Sequence, residues 1–170
     1  MFRATTDQTL LTMADIVGVQ IMHIGLRDSF EKERLRYGWY ILNTDDETNI
    51  NDMIGSKTGG GTHWTCFRVV NDVVLYFDSF GLPPPPEIRA FCMNKTIHYF
   101  PHQIQEIKSE ACGYYCIDFI KYFSQLPPSA INTPAKIGMH MSRYGVAYNY
   151  NNREHYEIKL KVRISDILNA

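Results

Sequence analysis

His63 to Gly81 reads HWTCFRVVNDVVLYFDSFG, two runs of branched and aromatic residues flanking Asn71-Asp72. Such runs favour extended backbone, and an Asn-Asp pair between them suits a tight reversal, so residues 63–70 and 73–80 are predicted to form a β-hairpin. A two-residue turn also fixes the register. It sets 70 against 73 and 65 against 78. Because strand faces alternate with period two, His63 and Asp78 then lie on one face, a diagonal step apart. An imidazole distant in sequence comes within reach of a carboxylate. A plainer reading makes His63 a surface residue at a strand start and Asp78 the opening of the turn before Gly81.

Working outward, the Pro83–Pro86 run cannot supply ladder donors and ends the hairpin. EIRAFCMNK then suggests a short helix with Ile88, Phe91 and Cys92 on one face, and TIHYF suggests another strand. In CGYYCIDFIKYF the residues Cys112, Tyr115, Cys116, Phe119, Ile120 and Phe123 recur at three and four positions, the face of a buried helix. Upstream, YGWYILNTD (37–45) reads as a strand and the polar, Gly-rich residues 45–61 as a long loop, a feature usually tied to a binding region. Earlier still, LLTMADIVGV suggests a helix starting near Thr12, with Thr12 and Asp15 as a cap-like pair. At the far end, EIKLKVRI alternates apolar and basic residues, which predicts a half-buried strand whose Lys159, Lys161 and Arg163 form a basic edge. The elements together predict an α+β domain.

At 170 residues, 45% of them apolar, the chain suits one core, and residues 1–170 are read as a single domain. Its 17 basic and 18 acidic residues leave a net charge of −1, which excludes a general electrostatic field for nucleic acid. The first residues lack the basic start and apolar block of a secretory signal, and no run of eighteen apolar residues occurs, so neither export nor a membrane partner is expected. Cysteines 66, 92, 112 and 116 are accordingly expected to be free thiols.

The chemistry centres on Cys112. Amides in the first turn of a helix lack helical acceptors, and their field favours a thiolate at that place. His63 beside it would serve as base, and Asp78 would orient the ring. Gly113 would leave room next to the sulfur for an extended substrate backbone. Gln105 could donate to an oxyanion beside the Cys112 amide, with Gln103 its rival by residue type. Plainer readings are a packed cysteine and a polar loop glutamine. His98, His102, Cys112 and Cys116 could be considered as zinc ligands, but no knuckle-like CxxC is present. GSKTGGG (55–61) lacks the order of a phosphate loop, and flexible access beside His63 suits it better.

GTHWTCF, LYFDSFGLPPP, Gln105 and SEACGYYC, in that order, resemble the adenovirus endopeptidase and ubiquitin-like-protease superfamily, most of all the maturation proteases of virophages and Maverick-type elements. The resemblance covers about residues 37–124. It implies a papain-like α+β fold with a central mixed sheet and the nucleophile at a helix N-terminus. It also implies Cys112 as nucleophile, His63 as base, Asp78 as orienting acid, Gln105 in the oxyanion hole, and Trp64 packed beside the cleft with Gly113. The implied activity is cysteine proteolysis of viral capsid or other structural precursors at small residues such as glycine, in the virion and infected cell. Ala111, where proteases of ubiquitin-like modifiers usually carry an acidic residue, favours the viral branch. Processing of such modifiers, acetyl transfer and a catalytically silent peptide- or capsid-binding module are the alternatives. No cofactor is expected to be required; a peptide or DNA activator, with weak DNA association through the basic edge, is what the resemblance to the adenoviral enzyme admits.

Overall fold

The computed structural model describes residues 3–46, 63–147 and 153–169. The long Gly-rich loop, including residues 55–61, therefore lies outside the described residues apart from its first two positions. Five strands form one mixed sheet in sequence order: β1 (Ile21–Leu26), β2 (Gly38–Asn43), β3 (Trp64–Val70), β4 (Val73–Phe77) and β5 (Thr96–Tyr99). The outer pairs, β1/β2 and β4/β5, are parallel, and the inner pairs are antiparallel.

The β3–β4 hairpin has the predicted register, with Val70 opposite Val73 and Cys66 opposite Phe77. Asn71 turns the chain at φ +49°, a left-handed conformation that asparagine tolerates better than most residues. Strand pairing stops at Phe77 rather than at residue 80, which releases Asp78 to Gly81 into a turn.

Alternation along β3 and β4 loads both faces of the sheet. Trp64, Cys66, Leu75 and Phe77 join one core with Trp39 and Ile41, and Phe67, Val69, Val74 and Tyr76 join a second with Phe30, Tyr40 and Leu42. The second core is closed by the 3₁₀ turn Arg27–Lys32 and by α2 (Pro86–Phe91), from which Ile88 and the following Cys92 are buried. The first and larger core is covered by α1 (Asp7–Ile16), α3 (Cys112–Ser124), α4 (Pro134–Ala147) and α5 (Arg153–Asn169). Among the described residues no helix is long and apolar enough to cross a membrane.

Two expectations are corrected. α1 begins at Asp7, not near Thr12: Thr6 is its cap, accepting from the Thr9 amide at 3.2 Å, while Thr12 sits mid-helix with its hydroxyl donating to Gln8 O. EIKLKVRI is not a strand but part of α5, where Leu160, Ile164 and Ile167 are buried and Val162 is 57% exposed. A strand face would have required Val162 inside with Leu160 and Ile164. The basic residues consequently do not form a sheet edge: Lys159 and Lys161 are exposed, and Arg163 donates to Asp118 Oδ2 at 3.2 Å.

Candidate active site

Helix α3 is fixed at both ends. Arg68 of β3 donates to Phe123 O in its last turn at 2.6 Å and to Leu126 O just beyond it at 3.1 Å, a cation placed where the helix dipole favours one. Near its start, Tyr115 reaches across to donate its hydroxyl to Ile104 O at 3.1 Å. The six residues predicted for its inner face are all buried. Packing therefore presents the first residue, Cys112, to the end of the hairpin.

There the expected partners meet. His63 precedes β3 and Asp78 follows β4, and His63 Nε2–H donates to Asp78 Oδ1 at 2.6 Å. The carboxylate is 3% exposed and its Oδ1 also accepts the Phe80 amide at 2.8 Å, so it is held in place within its own turn. The Cys112 thiol lies close enough to the same imidazole to favour its charged form, and with Nε2 committed to Asp78, Nδ1 is the ring nitrogen left for it. The Phe80 ring stacks on His63 at 4.5 Å, covering its flank. Burial works against charge on this ring, but the bond with Asp78 and the neighbouring Cys112 overcome it, so His63 is pushed up to about 9.

Cys112 is 7% exposed, and its sulfur accepts the Trp64 backbone N–H at 3.5 Å. Cys116, one turn deeper, is fully buried and donates to Trp64 O at 3.4 Å. Burial, reinforced by Cys66 alongside, pushes its thiol up, which keeps it a packed, protonated side chain as its helical position suggested. All four cysteines are free.

Gln105 lies in the loop after β5 and is 1% exposed. Its Oε1 accepts the Ser79 hydroxyl, and its Nε2 donates to the carbonyl of Ser109, three residues before Cys112, at 2.7 Å. Gln103 instead donates its Nε2 to Gln105 O at 3.0 Å and supports the loop.

Gly113 departs from expectation. A Cβ there would strike Thr5 Oγ1 and come within 2.9 Å of Leu10 Cδ2, so its missing side chain admits the N-terminal segment rather than an open cleft. Trp64 is 6% exposed and donates its indole N–H to Thr5 O at 3.1 Å, under the same segment. Thr5, Ser79, Phe80 and Ser109 were not read from sequence as parts of the site. Ser79 and Phe80 stood beside Asp78 in the quoted motif, but the partner of the Ser79 hydroxyl comes from a loop whose path no local pattern gives; Thr5 had no signal at all. Among the described residues no group of three or more His, Cys, Asp or Glu side chains is disposed to hold a metal ion.

No protein-family description matches the chain, and no curated protein matches it. Among solved structures it is distantly similar to the ASFV pS273R protease, whose crystal structure was determined in selenomethionine form, with 20% identity and a TM-score of 0.36 over 56% of this chain. The chain spans 38% of the length of that protein.

Proposed function

We propose that this protein is a cysteine endopeptidase of the adenovirus endopeptidase and ubiquitin-like-protease type, with a papain-like arrangement of its α+β fold. The observation that carries the reading is the imidazole of His63, bonded to the buried Asp78 at 2.6 Å and lying beside Cys112, the first residue of a helix. In this mechanism the Cys112 proton resides on His63, and the thiolate attacks a peptide carbonyl to form a thioester through a tetrahedral oxyanion. Gln105 Nε2 and the Cys112 amide stabilise that oxyanion, and the His63 imidazolium gives its proton to the departing amine. His63 then activates the water that resolves the acyl-enzyme. No bound cofactor enters any step.

The substrates in this proposal are viral capsid or other structural precursors, cut after small residues such as glycine in the virion or infected cell. A peptide or DNA activator, and weak DNA association through exposed Lys159 and Lys161, remain part of the proposal; cleavage with and without DNA at two salt concentrations tests them. A silent binding module is the second reading, favoured by the low exposure of Cys112.

Screening glycine-containing peptides against wild type and Cys112→Ala, together with timed iodoacetamide labelling, separates the two. The expected result is cleavage and rapid single-site labelling that both vanish in Cys112→Ala and slow sharply in His63→Ala. Cleavage that survives Cys112→Ala would overturn the assignment. A wild type that cuts nothing and labels no faster than an ordinary buried thiol would establish the binding module.

A further inference from the structure

We infer that Ser79 is a positioning residue for Gln105, so that the four-residue turn Asp78-Ser79-Phe80-Gly81 aligns both the base and the oxyanion donor. The inference rests on the protease reading above and assigns a role to a residue that reading does not use. Ser79 is fully buried and grips the Gln105 loop at three points. Its carbonyl accepts the amides of Ile104 at 2.8 Å and Gln105 at 3.1 Å, and its hydroxyl donates to Gln105 Oε1.

The contacts at its two ends give the side-chain amide a direction. Ser109 O is an acceptor with no proton to give, so it requires Nε2 to face it, at 2.7 Å. A rotation of the amide by half a turn would set Oε1 against Ser109 O, two acceptors in contact without a proton between them. The Ser79 proton on Oε1 reinforces the same choice from the opposite side. Nε2 carries a second proton, the one that the protease reading assigns to an oxyanion at Cys112. Neighbours in the turn serve the base in parallel: Asp78 bonds His63, and Phe80 stacks on its ring. Gly81, at φ +76°, lies so close to the 102–103 backbone that a Cβ would meet His102 C at 2.7 Å, which binds the turn to the Gln105 loop.

Ser79→Ala removes the hydroxyl and leaves both backbone bonds. With a peptide that the wild type cleaves, it is expected to lower kcat about 10-fold to 10²-fold with KM changed less than about 3-fold, a loss confined to oxyanion stabilisation. Gln105→Ala is expected to lower kcat about 10²-fold to 10³-fold, and the double variant to be no slower than Gln105→Ala alone, because Ser79 acts only through Gln105. Losses that multiply in the double variant, or a Ser79→Ala enzyme with wild-type kcat, would overturn the inference. A second readout does not need activity: in ¹⁵N-labelled protein, the Gln105 side-chain NH₂ signals, assigned by their loss in Gln105→Ala, are expected to exchange with solvent faster in Ser79→Ala. Unchanged exchange would overturn the positioning role. Faster exchange in a chain that cleaves nothing would uphold the contact while removing the protease reading.

Discussion

In the proposed mechanism His63 holds a proton and gives it away, and its surroundings set the pH at which it can do both. Desolvation alone would strip its charge, but the bond to Asp78 and the neighbouring Cys112 reverse the balance and push it up to about 9 from an ordinary 6.5. A group whose folded pKa is raised adds stability that is fully present below its unfolded value and is lost as pH rises through the folded one. The His63 contribution should therefore be complete below 6.5 and fade as pH passes about 9. In the proposed mechanism catalysis shares that boundary, because loss of the imidazolium removes the proton destined for the leaving amine. The rate of peptide cleavage is expected to fall on an alkaline limb near pH 9, and Asp78→Asn to move that limb to lower pH while reducing the rate. A limb that stays in place in Asp78→Asn would show that the carboxylate does not govern the ring.

At the scale of elements, the hairpin and α3 were legible because each pattern is local: an Asn-Asp turn sets a register, and six apolar positions set a helical face. Three of the proposed catalytic groups, His63, Asp78 and Cys112, follow from those two elements. The N-terminal segment was not legible, since its place over Trp64 and Gly113 depends on tertiary packing. α5 was misread because Leu160 and Ile164 satisfy both a period of two and a helical period; Ile167, beyond the alternating window, belongs only to the latter. Gly113 carries a prediction at this scale. Gly113→Ala should force Thr5 and Leu10 away from α3 and destabilise the fold by about 1–3 kcal/mol, as overpacking of a filled site does. Thermal denaturation checks it, and an unchanged midpoint would return Gly113 to an open surface.

For the whole molecule, the decisive matter is whether the C-terminal helix belongs to the core or rides on it as a regulatory edge. α5 sends Leu160, Ile164 and Ile167 into the cluster that holds α1 and α3, and Arg163 reaches the buried Asp118 of α3, which also accepts the Tyr144 hydroxyl of α4 at 3.0 Å. Three helices thus converge on one carboxylate, six residues along α3 from Cys112. Removing buried methyl groups from such a core typically costs about 2–5 kcal/mol, whereas exposed lysines contribute within about 0.5 kcal/mol. Leu160→Ala is therefore expected to lower Tm by several degrees, at about 2–4 °C per kcal/mol for a chain of this size, and Lys159→Ala/Lys161→Ala to leave it within about 2 °C of wild type. The same two variants divide the functional question. If the lysine pair loses DNA-stimulated cleavage at unchanged Tm, the exposed face of α5 is a binding surface carried on a structural helix. A lysine pair that lowers Tm as much as Leu160→Ala would contradict the buried and exposed faces assigned to α5, and with them the account of how its packing supports the helix that presents Cys112.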